Sequence, residues 1–179
     1  AWSWQARLAG TGVAPEADFG AVLSLDGDTA LVGAPNDTVG FDGAGAAYVF
    51  ARNGAGAWAQ TARLTSTHPG IHDFFGSAIS LSGQTAVVGC ARENAVEMRS
   101  GAVYVYVHDG SQDWTLQARI VNPERSSYDY FGHAVCLAGD TLMVGCIGDD
   151  VRGSASGSVY VFVRDGAGAW SLQAKLTAP

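Results

Sequence analysis

The stretch DFGAVLSLDGDTALVGAPND, residues 18–37, carries two short apolar runs on either side of Asp26-Gly27-Asp28. Runs of this length, rich in Val, Leu and Ala and broken by Asp-Gly, predict two strands joined by a tight hairpin, with Gly27 supplying the positive φ of the turn. The pattern recurs along the chain. Phe19-Gly20, Phe75-Gly76 and Phe131-Gly132 are spaced 56 residues apart, and Val32-Gly33, Val88-Gly89 and Val144-Gly145 keep the same register. Tyr48-Val49-Phe50 returns as Tyr104-Val105-Tyr106 and Tyr160-Val161-Phe162. A fourth element occurs four times: Trp2 with Ala6-Arg7-Leu8, Trp58 with Ala62-Arg63-Leu64, Trp114 with Ala118-Arg119-Ile120, and Trp170 with Ala174-Lys175-Leu176.

A fixed period of this length marks a repeat architecture, so the chain is read copy by copy. In the first copy the predicted strands are 19–25, 29–34, 45–52 and 58–64, separated by Gly, Asp, Asn and Ser, and no segment sustains a helical period. The fold class is therefore all-β. Asp26-Gly27, Ser82-Gly83 and Ala138-Gly139 make strands one and two antiparallel neighbours, and Arg52-Asn53-Gly54-Ala55-Gly56 joins strands three and four. Four meandering antiparallel strands per period describe a β-propeller blade. Residues 1–179 read as one propeller segment, with three complete blades at about 19–64, 75–120 and 131–176 and, at 2–8, an orphan outer strand of a preceding blade. Open blade edges imply further blades, self-association or a covering partner, giving a partial or oligomer-completed propeller. The small residues of the first strand suit the crowded propeller axis, and the Trp residues suit the wide gap between blades at the rim.

The composition narrows the class of partner. A net charge of −7 and a pI near 4.8 disfavour a surface that neutralises phosphates, so no nucleic-acid partner is expected. No apolar run has the length of a transmembrane segment, and AWSWQARLAG lacks the pattern of a targeting peptide. The three cysteines leave one thiol over if two pair; Cys90 and Cys146 stand where the first copy has Ala34, the pattern of a small buried residue.

The motifs FG, TALVGAP, AAYVF and W with QTARL together resemble the FG-GAP repeat of integrin-α-type β-propellers, over the whole chain in three copies. GAP itself is intact only at Gly33-Ala34-Pro35; the later copies read Gly89-Cys90-Ala91 and Gly145-Cys146-Ile147. The resemblance implies roles in cell adhesion, sugar binding or scaffolding, and an extracellular or organelle-lumen location. In integrin-type repeats the first hairpin is lengthened into a calcium loop of many oxygen ligands. Here the connection offers only Asp26 and Asp28, then Ser82 and Gln84, then Ala138 and Asp140, so it is read as a turn. No cofactor is expected, with calcium held by Asp149-Asp150 and a neighbouring loop kept as an alternative.

Alternating strand directions place loops 36–44, 92–100 and 148–156 on one face with loops 9–18, 65–74 and 121–130, and these long loops are the expected interaction surface. Asp37, Asp42, Asp149 and Asp150 are its candidate acidic binding residues, interrupted by Arg92, Arg99, Arg125 and Arg152. Tyr128 and Tyr130 in SSYDYFG are candidate aromatic contacts near the central opening. His68, His72, His108 and His133 share no Cys or Ser neighbour, so no catalytic residue is assigned and the chain is expected not to be an enzyme. The function expected is a noncatalytic protein-interaction or scaffolding module that stabilises or bridges a larger assembly through the long-loop face. The alternative is a lectin-like module that binds a glycan through loop aromatics and carboxylates between blades.

Overall fold

The computed structural model describes residues 3–110, 113–124 and 126–179. Trp2, which opens the expected outer strand, lies outside the described residues, as does Arg125. Twelve strands form three four-stranded antiparallel sheets. The first sheet contains β1 (Leu23–Asp26), β2 (Thr29–Ala34), β3 (Ala46–Arg52) and β4 (Trp58–Leu64). The second contains β5 (Ala78–Ser82), β6 (Thr85–Cys90), β7 (Ala102–His108) and β8 (Trp114–Val121). The third contains β9 (Phe131–Ala138), β10 (Thr141–Cys146), β11 (Ser158–Arg164) and β12 (Trp170–Thr177). Within each sheet the strands lie in chain order, as consecutive blades of an open propeller.

β2 and β4 occupy the expected residues, whereas β1 starts at Leu23 instead of Phe19. Gly20 has a φ of 97° and its N–H donates to Gly33 O at 3.0 Å ahead of the regular ladder, while the equivalent Gly132, with a φ of 91°, lies within β9. Residues 3–8 form no strand ladder. Leu8 packs on the first blade's apolar face. The outer strand of each blade contains a bulge, at the register shifts Val49/Phe50, Val105/Tyr106 and Val161/Phe162. It leaves Thr61, Gln117 or Gln173 unpaired, and the residue pairs beyond it are Tyr48 with Arg63, Tyr104 with Arg119 and Tyr160 with Lys175.

Blades pack through two apolar layers. Leu31, Val49 and Leu64 of the first blade meet Phe75, Leu81 and Tyr104 of the second, and Val87, Val103 and Val105 of the second meet Phe131, Leu137 and Tyr160 of the third. Each inner Phe sits edge-on to the aromatic pair of its own blade, as Phe75 does to Tyr104 at 5.3 Å and Phe131 to Tyr160 at 5.5 Å. The inner strands are stitched by side chains. Ser24 Oγ accepts the Leu81 N–H at 3.0 Å, and Ser80 Oγ accepts the Leu137 N–H at 2.9 Å. Asp26 Oδ2 accepts the Gly83 N–H at 2.6 Å, and Ser82 Oγ accepts that of Gly139 at 3.1 Å. The small polar residues of the first strand thus join neighbouring blades as well as fitting a crowded axis. Burial follows from this packing: β6, between two blades, is buried throughout, whereas β10 buries Leu142, Val144 and Cys146 and exposes Met143.

The hinge residues do not fit a calcium site. Asp26 accepts the neighbouring blade's N–H, and Asp28 pairs with Arg52 at 2.5 Å, an arrangement repeated by Asp140 and Arg164 at 2.8 Å. A cation at this position would have to displace both sets of contacts to collect its oxygens.

Candidate functional site: the long-loop face

Each long loop after the second strand is closed at its neck by one backbone hydrogen bond. The Gly45 N–H donates to Asp37 O at 2.9 Å, Gly101 to Glu93 O at 3.0 Å, and Gly157 to Asp149 O at 2.9 Å. The side chains at these necks turn inward. Asp37 accepts from the Tyr48 hydroxyl at 2.5 Å and from Arg63 at 2.7 Å. Glu93 accepts from the Tyr104 hydroxyl at 2.8 Å and pairs with Arg119. Asp149 accepts from Tyr160 at 3.1 Å and Ser158 at 2.7 Å and lies 2.7 Å from Lys175 Nζ. One acid, one tyrosine and one cation therefore anchor the loop in every blade. The outer-strand bulge brings the cation into the cross-strand register of the tyrosine.

The ionisation of these groups follows their surroundings. Burial, reinforced in blade 1 by the hydrogen bond to Asp37, raises the tyrosine hydroxyls well above the usual phenol range. Burial also pushes against ionisation of Asp149, but the hydrogen bonds from Lys175 and Ser158 outweigh it and hold the carboxyl below its ordinary value. Asp73 behaves differently: burial and the charge of Glu93 raise it to about 6, opposed by a hydrogen bond from the Gly70 backbone. The Cys90 and Cys146 thiols are buried and raised, Cys146 to about 12, and Cys136 is exposed; none of the three is in a disulfide.

The six candidate residues consequently divide. Asp37 and Asp149 are buried within their blades and anchor loops. Asp42 is exposed, with its carboxylate 3.9 Å from the His72 ring. Asp150 is exposed and accepts the Ala155 N–H at 2.6 Å, capping a turn within its own loop. Tyr128 is exposed, and its hydroxyl contacts the Met98 sulfur. Tyr130 is partly buried in a cleft between blades 2 and 3.

The two loop sets meet across blade boundaries, as expected from strand direction. The His72 N–H donates to Asp42 O at 2.9 Å, and the Tyr128 N–H to Met98 O at 2.8 Å. Glu16, Asp18, His72, Phe74, Tyr128 and Tyr130 all have φ between 53° and 62°, so the residues flanking Ala17, Asp73 and Asp129, at the end of each connecting loop, adopt the left-handed region in all three blades. These loops have repeated, specified conformations. They also expose Phe41, Ile71, Val96, Met98, Tyr128 and Val151. The repeat separates Asp37, turned inward, whose place is acidic in every copy, from Asp42, turned outward, whose place holds Met98 and Ser154 in the later copies. The sequence signal for the former is the shared spacing of positions 37, 48 and 63 with 93, 104 and 119 and with 149, 160 and 175.

The blade order and the repeated loop anchors define a repeat protein of β-propeller blades. The chain belongs to the FG-GAP repeat family, whose model matches residues 2–50, 58–106 and 114–162. No curated protein matches the sequence. Among solved structures, it is similar to a chain described as the Pseudomonas aeruginosa periplasmic gluconolactonase, at 16% identity and a TM-score of 0.48. The match covers 88% of this chain and 57% of that one, so this chain spans little more than half its length. The expectation that the chain is not an enzyme is corrected here. It rested on four scattered histidines, and a similar chain carries an enzyme's name; exclusion of catalysis is withdrawn. At that likeness the match assigns no activity to this chain.

Proposed function

We propose that the chain is a protein-interaction module that contributes to a larger assembly through its long-loop face, in an extracellular or lumenal setting. The observation that carries the reading is the pairing of loop anchoring with apolar exposure. Acid–tyrosine–cation sets hold the loop necks, while Phe41, Ile71, Val96, Met98, Tyr128 and Val151 project into solvent on the same face. Loops held in place lose less conformational entropy on binding, and exposed apolar side chains supply the contact area. The location rests on the family resemblance.

The test is affinity capture from the producing cells with the wild-type chain and a Met98→Asp, Val151→Asp variant. A protein retained by the wild type and lost from the variant is the expected result. Equal retention by both would remove the long-loop face from the interaction.

A further inference from the structure

We propose that the cleft between blades 2 and 3 seats a carboxylate of the partner protein, from an aspartate or glutamate side chain. This rests on the interaction reading above and adds the chemistry of the partner. The cavity measures about 300 Å³ and is lined from one side by Phe74, Ser77 and Arg92, and from the other by Tyr130, His133 and Ile147. These are repeat-equivalent positions of adjacent blades: Phe74 corresponds to Tyr130, and Ser77 to His133.

The equivalent place in the first blade is built differently. Asn36 Nδ2 donates to Asp18 Oδ2 at 2.5 Å, pairing the two side chains with each other. In the second blade Arg92 occupies the place of Asn36, and its guanidinium lies over the Phe74 ring at 4.6 Å. Among the described residues it makes no ion pair. In the third blade Gly148 has no side chain with which to cover Tyr130.

Stacking on an aromatic ring fixes the guanidinium plane and leaves its edge donors available for a bidentate carboxylate contact. Ser77, Tyr130 and His133 add groups able to donate to the same anion, and no carboxylate lines the cavity. Tyr130 is held by its backbone on both sides: its N–H donates to Arg99 O at 3.2 Å, and its carbonyl accepts the His133 N–H at 3.1 Å. The volume is at the small end of ligand cavities and suits one side chain. Exposed Ile147 at its edge, with Met98 and Tyr128 on the same face, surrounds a cationic anchor with apolar contacts, the arrangement expected of an interaction hot spot. The overall charge of −7 opposes an acidic partner at long range. At physiological salt the Debye length of about 8 Å screens that repulsion, whereas a direct hydrogen-bonded contact escapes most of the screening.

The test uses displayed random peptides selected separately on the wild-type chain and on Arg92→Gln, a surface change whose fold is checked by circular dichroism. Wild-type selections should enrich Asp or Glu beside an apolar residue. Arg92→Gln selections should keep the apolar residue and lose the acid. A selected peptide should bind about tenfold more weakly to Arg92→Gln, and so should its Glu→Gln version to the wild type. Amidating the peptide's C-terminus should leave binding unchanged; loss on amidation alone would overturn the side-chain assignment in favour of a terminal carboxylate.

Apolar enrichment indifferent to Arg92 would overturn the carboxylate proposal and leave the interaction reading standing. Absence of any enriched peptide would overturn both. Arg92-dependent binding of digalacturonic acid in place of peptides would assign the cleft to an acidic sugar and overturn the proposal.

Discussion

Asp73 is a carboxyl group that the fold works against. It is buried beside Glu93 and raised from 3.8 to about 6, while the equivalent place in blade 1 is filled by the buried and uncharged Ala17. The sign of the pH effect follows from the raised value. The folded chain holds the proton more tightly than the unfolded chain, so the contribution is fully present below pH 4 and is lost as pH rises through about 6. Asp73→Asn should therefore stabilise the chain at pH 8 by roughly 2–3 kcal/mol, with the difference disappearing near pH 4. Thermal unfolding of both chains across this range is the measurement, and parallel curves would contradict the assignment. Arg92 and His133 show the limit of reading at this scale. Arg92 follows β6 in a loop and His133 lies in β9, and only blade packing brings them to one cavity.

At the scale of the element, the repeat provides its own controls. A methyl group at Gly89 would lie 2.1 Å from Gly132 O of the next blade, whereas one at Gly145 would approach Ala134 of its own blade, no closer than 3.2 Å. Neither glycine has a positive φ, so backbone strain does not separate them. Gly89→Ala should cost roughly 2–3 kcal/mol by forcing blades apart, and Gly145→Ala less than about 1 kcal/mol. Chemical denaturation of the two variants gives the comparison, and equal losses would contradict the blade contact.

Most of the blade was legible in sequence because strands and turns are local. The runs at 29–34 and 58–64 became β2 and β4 without adjustment. The start of the inner strand was not legible, because the same Phe-Gly pair opens β9 at Phe131 but precedes β1, with a positive φ at both glycines. For residues 3–8 the motif identifies an outer-strand sequence, but strand structure also needs a neighbour with which to pair. The candidate site was half legible: the repeat identified the loop face and Tyr130, while side-chain direction at Asp37 and Asp149 depended on tyrosines and cations far along the chain.

Across the whole molecule, identical residues acquire different roles from their place in the array. Leu25, Leu81 and Leu137 are repeat equivalents, yet Leu25 is 66% exposed and the others 7% and 6%. The second and third blades each have a preceding blade against this position. Leu81→Lys should abolish cooperative folding by burying an unpaired charge, while Leu25→Lys should change stability by less than about 1 kcal/mol. Urea titration distinguishes the two; similar behaviour would contradict the blade order.

The interaction reading belongs to the same scale, because it depends on which face of the array meets another protein. The most direct measurement is site-resolved photo-crosslinking in the producing cells. Probes are placed singly at Val96, Met98 and Val151 on the long loops and at Ala55 and Ala167 in the tight turns of the opposite face. The expected result is an adduct with one common partner from the long-loop positions and none from the turns. An adduct formed equally from the turns, or from them alone, would contradict the long-loop face as the interaction surface.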